Sequence, residues 1–477
     1  MPQTKLSAIS KQLNDQIATS CDTSKLPGYV AGVYHKGEQV IVSHGSANIV
    51  TEAPMRDDTG FLFGSITKLL TTTLILQQVE RGTIDLDAPV VKYLPAFELT
   101  SPGMAEKISV RNLLSHTNGI DADLFFLDAR GPDAIKAFVS GLGEYCGSLF
   151  GAGEYISYSN GGMITAGRLL EVVTGIPYHD LLKHNVYNRV GMRNSSNSIE
   201  EAILRSTAVG HFPDMTTGAT KRTDMFMLPE SWEPAGSMAI GSISDLLAFA
   251  RTHLNDGKSP IGEQLLSKES IVGMQTVSHD MKTPNIPPIG LGWVLMPFGE
   301  ATVLSHSGAS PGGIAVLAVV PEHDFAFAAY GNDPRAMALH DQTMLWLLQE
   351  YLNVEVPDLI PAPTPAKDLT PYIGTYRSNQ LRVDVKLVDG QLEEQMTYEP
   401  IDNTQKDIFT KFSGGSLSAM PPRRFVSVGK DLFAPAGMPL QAFNGYSRQM
   451  LVSYHGIKEG HAYYRSSGGR MTTRRES

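Results

Sequence analysis

The chain contains little cysteine, no long apolar run and no excess of positive charge. Its two cysteines, Cys21 and Cys146, are isolated in 477 residues, which excludes a disulfide framework and a CxxC metal site, and we interpret both thiols as structural. No stretch reaches the ~18 continuous apolar residues of a membrane span. A net charge of −10 offers nucleic acid or an anionic membrane no positive face. The composition therefore predicts no nucleic-acid or membrane partner, no metal and no cofactor.

The N-terminal residues MPQTKLSAISKQLNDQIATS lack the continuous apolar segment of a signal peptide. Leu6, Ile9, Leu13 and Ile17 instead recur at helical spacing with polar residues between them. The sequence thus predicts an amphipathic first helix and a cytoplasmic protein.

The composition is that of an ordinary globular protein, with 42% hydrophobic and 18% charged residues. A β-hairpin pattern surrounds Lys36–Gly37, and further β-rich pieces lie within residues 303–332. Helices are predicted between these β-rich segments, at Asn160–Thr174 and at Ser244–Leu254. A further helix is predicted to begin after residue 65 and to be ended by Gly82. This order indicates an α+β fold, with one antiparallel sheet flanked by helices plus a helical lobe.

A proline-rich segment marks the predicted domain boundary. Five prolines lie between Pro357 and Pro371, which stiffens the chain and excludes a packed helix. Period-two alternation around a turn at Asp389–Gly390 follows. We predict a first domain at 1–356, a linker at 357–370 and a C-terminal antiparallel β-barrel or sandwich at 371–477, with the final GGRMTTRRES as a solvated tail.

Two Ser-x-x-Lys matches occur in the chain, at Ser65/Lys68 and at Ser427/Lys430. On a helix, residues three apart share a face about 5–6 Å apart, so a hydroxyl nucleophile would have an amine beside it. The second match lies in RFVSVGKDLF, a strand-like segment in which residues three apart point to opposite faces. Only Ser65/Lys68 can cooperate, although by itself it could also be a helix-capping serine with a solvated lysine.

A rival nucleophile is Ser310, within a G-x-S-x-G match at residues 308–312. That pattern requires the backbone N–H of the following residue as an oxyanion donor. The following residue is Pro311, which has no N–H. We therefore reject Ser310.

Two further motifs accompany SITK in order along the chain, and they are Tyr158-Ser159-Asn160 and His306-Ser307-Gly308. Together the three resemble the motifs of the serine β-lactamase and DD-peptidase superfamily, especially its class C-like branch. That branch includes class C β-lactamases, DD-carboxypeptidases, D-aminopeptidases and family VIII carboxylesterases. The resemblance extends over about residues 4 to 350 and includes ISVRNLLSHTNGI and AGSMAIGSISDLLAFA. The C-terminal part resembles, more loosely, the β-barrel appendages of D-aminopeptidase and esterase relatives.

The resemblance implies a β-lactamase/transpeptidase-like fold and a role for each motif residue. Ser65 would be the nucleophile, and Lys68 with Tyr158 would form one coupled acid–base unit, in which the phenol beside a cationic lysine is expected to be more acidic than in water. The N–H groups of Ser65 and Ala309 would form the oxyanion hole. Asn160 would orient the lysine and the substrate.

The third motif, His306, Ser307 and Gly308, would bind substrate. His116 is predicted to be a hydrogen-bonded loop histidine, and Trp232 and Trp293 are predicted to be packing residues rather than site walls.

The third motif departs from the Lys-Thr-Gly typical of β-lactamases, with His306 in place of lysine and Ala309 in place of a hydroxyl residue. A neutral imidazole and a methyl group bind a carboxylate less well than an ammonium and a hydroxyl. The leading hypothesis is a serine hydrolase that cleaves an ester or amide of a small molecule or short peptide through an acyl-serine intermediate. Such a protein could form a homo-oligomer. The alternatives are an acyltransferase, a D-aminopeptidase, DD-peptidase or β-lactamase, and a non-catalytic binding or sensor protein.

Overall fold

A computed structural model describes residues 5–125, 130–214, 217–415 and 420–475. The α-helices of these residues are α1 Lys5–Ser24, α2 Thr67–Glu80, α3 Val110–Leu114, α4 Ala134–Tyr145, α5 Asn160–Thr174, α6 Tyr178–Leu182, α7 Asn188–Val190, α8 Ile199–Ala202, α9 Ile243–Leu254, α10 Lys268–Gln275, α11 Ala336–Trp346 and α12 Asn403–Phe412. None of the helices in the described residues is both long and apolar enough to cross a membrane.

The strands of the first three quarters of the chain are β1 Gly28–His35, β2 Glu38–Asn48, β3 Ala53–Pro54, β4 Phe61–Leu62, β5 His211–Pro213, β6 Thr220–Arg222, β7 Ile240–Gly241, β8 Val294–Phe298, β9 Ala301–Ser310, β10 Gly313–Val320 and β11 Phe325–Gly331. Seven of them form one sheet in the order β3-β2-β1-β11-β10-β9-β8, and the pairings given for its neighbours are antiparallel. The predicted hairpin is present, and its turn residues Lys36 and Gly37 both have positive φ.

Helices cover both faces of the sheet. Residues of α1 and α11 form one hydrophobic core with the outer face. The other face packs on α9 and on the helical lobe that contains α2 and α5. The structure thus confirms the predicted α+β architecture with its helical lobe.

Helix α2 lies in the middle of this second core. Every residue from Thr67 to Gln78 is buried, which is typical of a helix enclosed on all sides. The helix ends before Gly82, whose φ is 73°, as predicted.

The other two predicted helices are also present. Helix α5 has the predicted bounds, with Ser159 as its N-cap and Gly175 in the left-handed region at its end. Helix α9 begins at Ile243 because Ser242 and Asp245 form a capping box before it.

The C-terminal strands are β12 Gly374–Arg377, β13 Leu381–Val388, β14 Gln391–Tyr398, β15 Arg423–Gly429, β16 Leu432–Pro435, β17 Val452–Lys458, β18 His461–Ser467 and β19 Arg470–Arg475. They close into a barrel, which confirms the predicted C-terminal β domain. Helix α12 is inserted between β14 and β15.

The prediction of a solvated C-terminal tail is wrong. Residues 470–475 are strand β19, which pairs with both β18 and β12 and so closes the barrel. Pairing at both edges leaves no unpaired strand edge there.

The proline-rich segment contains no helix or strand between residues 353 and 369. It packs on the barrel, where Ile360 is buried against Val428 and Leu432 and the N–H of Ala366 donates to Ser427 Oγ at 2.7 Å. The division at 1–356, 357–370 and 371–477 stays a prediction.

Candidate active site

Ser65 lies at the beginning of the central buried helix, as its position before an apolar helical run predicts. A single 3-10 turn, Gly64–Ile66, carries it directly into α2. Lys68 is fully buried one turn along, and its Nζ lies 3.0 Å from Ser65 Oγ and 2.6 Å from the carbonyl oxygen of Ala235. Burial lowers the pKa of Lys68 well below its ordinary value, and the positive charge of Arg470 lowers it further.

The side chain of Tyr158 lies beside Ser65 and Lys68. Its ring centroid lies 4.8 Å from Lys68 Nζ, and its hydroxyl is buried with no partner in hydrogen-bonding geometry among the described residues. The expectation that the Tyr158 phenol is more acidic than in water is wrong, because burial raises its pKa more than the nearby Ser65 and Arg470 lower it. Tyr158 therefore keeps its proton at neutral pH.

An open sheet edge faces the turn that carries Ser65. Strand β8 pairs with β9 only as far as Ser305, so the next residues of β9 approach Gly64–Ile66 instead. The approach is close: a Cβ added to Gly64 would lie 2.8 Å from the amide nitrogen of Ala309, and one added to Gly308 would lie 3.1 Å from that of Ser65. The two amides proposed as the oxyanion hole are thus brought to the same place, which only glycine at positions 64 and 308 permits.

Two neutral histidines line the site. His306 Nδ1 donates to the carbonyl oxygen of Ser307 at 2.7 Å, which leaves Nε2 as a buried acceptor without a partner among the described residues. Burial lowers the pKa of His306 to about 3. His116 Nδ1 accepts from the N–H of Ser159 at 3.2 Å, and its ring lies 4.4 Å from that of Tyr158. His116 is the hydrogen-bonded loop residue that was predicted, and it also borders the cavity.

Asn160 has a partner that sequence reasoning missed. Its amide Nδ2 donates to Asp123 Oδ1 at 2.7 Å, whereas the hydrogen bonds of the Lys68 amine go to Ser65 and Ala235. The second oxygen of Asp123 accepts from Arg470 Nε at 2.6 Å. Neither Asp123 nor Arg470 belongs to a motif visible in the sequence, and they are 347 positions apart.

A cavity of about 470 Å³ opens beside Ser65. One apolar part of its wall consists of Phe125, Trp232 and Phe409, with ring centroids 4.2 Å apart for Phe125 and Trp232 and 4.8 Å for Phe125 and Phe409. Another consists of Ile156, Ile286 and Ile289. The C-terminal domain contributes Phe409, Phe412, Tyr446, Arg448, Gln449 and Gly468 to Arg470.

The prediction for Trp232 is wrong in part. Its Nε1 donates to the carbonyl oxygen of Leu124 at 2.7 Å, so it packs, but its ring is also a wall of the cavity. Trp293 is fully buried, as expected of a packing residue.

The two thiols offer no second nucleophile, and the described acidic and histidine side chains offer no metal site. Cys21 and Cys146 are buried and unpaired, and burial raises the pKa of Cys21 to about 12 and that of Cys146 as well, so neither is a thiolate nucleophile. Within the described ranges, no three His, Cys, Asp or Glu side chains are grouped as a metal ion requires.

Comparison with known proteins identifies the family of the chain. The Beta-lactamase family model matches residues 13–349. Penicillin-binding protein 4 of Amycolatopsis lactamdurans is 31% identical over 356 residues, which are 74% of this chain and 93% of that protein.

Two solved structures resemble the chain over nearly its whole length. SurE, solved with D-Leu, has a TM-score of 0.73 at 24% identity and covers 98% of this chain and 99% of its own. The octameric penicillin-binding protein homologue from Pyrococcus abyssi has a TM-score of 0.63 at 20% identity, with coverage of 97% and 99%. By its sequence match over most of its length, the chain belongs to the Beta-lactamase family.

Proposed function

We propose that the protein is a serine hydrolase that cleaves an ester or amide bond through an acyl intermediate on Ser65. The observation that carries this proposal is the 3.0 Å contact between Lys68 Nζ and Ser65 Oγ at the edge of a cavity large enough for a small ligand. Burial lowers the pKa of Lys68, which favours its neutral, proton-accepting form.

The contacts of Lys68 define the first proton transfer. A neutral amine has two N–H groups and one lone pair, so an N–H can donate to Ala235 O while the lone pair accepts from the Ser65 hydroxyl. As the hydroxyl proton passes to Lys68, Ser65 Oγ bonds to the substrate carbonyl carbon. The carbonyl oxygen takes up the negative charge, and the N–H groups of Ser65 and Ala309 would stabilise it.

Tyr158 suits the opposite step. Since its pKa is raised, the phenol holds a proton that it can give to the leaving alcohol or amine as the bond to the carbonyl carbon breaks. The proton that Lys68 took from Ser65 then passes to the phenolate oxygen of Tyr158, whose ring lies beside the amine. Water, deprotonated by the same pair, would release the acyl group.

The cavity wall favours an apolar substrate. Aromatic and aliphatic side chains form most of the named wall. The neutral His306 offers a carboxylate no charge, which leaves Arg448 and Arg470 as the cations of the wall. The D-Leu bound to SurE is an apolar D-amino acid. We therefore propose amides or esters of apolar amino acids or short peptides as substrates, with D-residues as the first to try.

Acyl transfer is a second candidate. The wall contains two separate apolar clusters, one around Phe125 and one around Ile286, which could hold an acyl group and an acceptor at the same time. Incubation with competing amines and analysis of the products would separate transfer from hydrolysis.

The direct test is substitution of the nucleophile. Ser65→Ala should abolish hydrolysis of p-nitrophenyl esters and labelling by a fluorophosphonate, and Lys68→Ala should slow both by about 10²–10⁴-fold. Ser310→Ala is the matched control, because Ser310 Oγ bonds to the carbonyl oxygen of Gly313 and to the Tyr330 side chain, and it should retain activity. Wild-type hydrolysis by Ser65→Ala would refute the proposal.

Intact-protein mass spectrometry would then identify the substrate class. The protein is mixed with D- and L-leucine amides and esters and with β-lactams, and the acyl mass on Ser65 is read. A stable adduct without steady turnover would instead support the binding or sensor alternative.

A further inference from the structure

The turn between strands β18 and β19 reaches from the barrel to the segment that carries Tyr158. The N–H of Tyr158 donates to the carbonyl oxygen of Gly469 at 2.8 Å. The N–H of Met471 donates to Ser157 Oγ at 3.1 Å. Arg470 lies between these two contacts, so the barrel fixes its position relative to the catalytic tyrosine.

Two basic side chains therefore lie against one ring. The Arg470 guanidinium carbon lies 4.9 Å from the Tyr158 ring centroid, and Lys68 Nζ lies 4.8 Å from it. The Arg470 guanidinium and Lys68 Nζ can be no more than about 10 Å apart, a distance at which the charge of Arg470 still acts appreciably on the protonated form of the amine. The Arg470 side chain is 45% exposed, so solvent weakens the interaction without removing it.

Asp123 supplies the opposing charge. Its carboxylate is shared between Arg470 and Asn160, at 2.6 Å and 2.7 Å. The pair Asp123–Arg470 thus joins the helical lobe to the barrel beside the reacting groups. It gives the site one positive and one negative charge.

We propose that Arg470 is a positioning residue. Its positive charge, opposed by the negative charge of Asp123, sets the fraction of molecules in which the Lys68–Tyr158 pair is in the form that can accept the Ser65 proton. The inference rests on the proposed function. A positive charge disfavours the lysine ammonium and favours a phenolate, so Arg470 promotes the proton-accepting form. Asp123 acts in the opposite direction on both groups.

The histidines and the glutamate around the pair carry no charge that competes, and Arg448 of the cavity wall is not among the groups that shift the pKa of Lys68 or Tyr158. His116 and His306 face it from the loop and from β9, and burial lowers the pKa of both, to about 3 for His306. Glu233 lies on the segment that supplies the carbonyl of Ala235, but its carboxyl accepts from Asn197, and burial raises its pKa to about 8. Asp123 and Arg470 are the described charged groups that shift both members of the pair.

The rate of fluorophosphonate labelling as a function of pH measures the accepting form directly. In this reaction Ser65 Oγ bonds to phosphorus, fluoride leaves, and the hydroxyl proton goes to the pair. Labelling is lost as pH falls through the apparent pKa of the pair, and the midpoint of that acid limb is the readout.

The two charge variants should move the limb in opposite directions. Arg470→Gln should move it to higher pH by about half to one unit, and Asp123→Asn should move it to lower pH. The double variant should lie near wild type, and Arg470→Lys, which keeps the charge, should too. Arg474→Gln is the matched control on the same strand, because its side chain bonds to Pro371 and Ile373 of the barrel.

A merely structural role would lower the plateau rate without moving the limb, or would move it in the same direction in both variants, and either result overturns the inference. Should one of the two single variants fold poorly, the other still tests the inference, because its limb must move in the stated direction while that of Arg470→Lys stays at the wild-type midpoint. If Ser65→Ala abolishes labelling but the acid limbs of Arg470→Gln and Asp123→Asn do not move, only this inference is refuted. Labelling that persists in Ser65→Ala would sink the proposed function itself.

Discussion

A glutamine of the barrel holds one wall of the active-site cavity, and its removal is the sharpest test of how the two domains cooperate. Gln405, on the first turn of α12, is 1% exposed. Its Oε1 accepts from the N–H of Phe125 at 2.7 Å, and its Nε2 donates to the carbonyl oxygen of the same residue. Phe125 in turn stacks on Trp232. Gln405→Ala removes both hydrogen bonds at once.

The expected cost follows from these contacts. Each buried backbone group that loses its partner costs about 1–3 kcal/mol, and alanine recovers about 1–2 kcal/mol of the rotamer entropy that a buried glutamine has given up. A net loss of about 2–3 kcal/mol should appear as easier opening of the loop at residues 120–125. Amide exchange there should accelerate about 30- to 140-fold, since about 1.4 kcal/mol corresponds to a factor of ten.

Hydrogen exchange followed by mass spectrometry on a peptide from this loop measures the effect. The same variant should lower kcat/KM for substrates with a large apolar group more than for small ones, because Phe125 lines the cavity. Gln395→Ala is the control, since Gln395 bonds to the carbonyl oxygens of Met396 and Met420 on the barrel. Unchanged exchange in the loop, with or without a lower melting temperature, would refute the reasoning.

Two further predictions concern stability. His253 has both ring nitrogens buried without a partner among the described residues, and burial lowers its pKa to about 3. As pH falls from about 6.5 towards 3, the unfolded chain therefore binds a proton that the folded chain does not, so the free energy of unfolding falls over that range. Urea unfolding at several pH values measures this dependence, and His253→Phe should reduce the slope of the unfolding free energy against pH by about one proton. Glu394 and Arg465 form an ion pair inside the barrel with 3% exposure each; Glu394→Leu should cost about 3–5 kcal/mol of unfolding free energy, whereas the double change with Arg465→Met should recover most of it, and a double variant as unstable as the single one would contradict this.

Local patterns predicted much of the fold. The bounds of α5 follow from a serine cap before an apolar run and a glycine after it, and the buried α2 follows from an apolar run that ends at Gly82. The spacing of Ser65 and Lys68 predicted their contact because three residues make nearly one helical turn. These features depend on neighbours in sequence, which a single chain displays.

Contacts between distant segments could not be predicted in this way. Asp123 and Arg470 meet across 347 positions, and nothing in the residues around either one indicates the other. The same limit explains Tyr158, whose pKa depends on how deeply the finished fold buries it rather than on the neighbouring lysine alone. Trp232 was assigned to packing because the sequence does not show that α12 of the barrel helps to enclose a cavity beside it.

The place of β19 in the chain also bears on the order in which the molecule matures. The nucleophile helix is synthesised early, whereas Arg470 leaves the ribosome only after almost all of the other described elements. Contacts that join such distant segments form late, because the intervening chain must be ordered first. A nascent chain that had already folded its sheet and helical lobe would lack the arginine beside Tyr158, so the proposed site would be complete only with the closing strand.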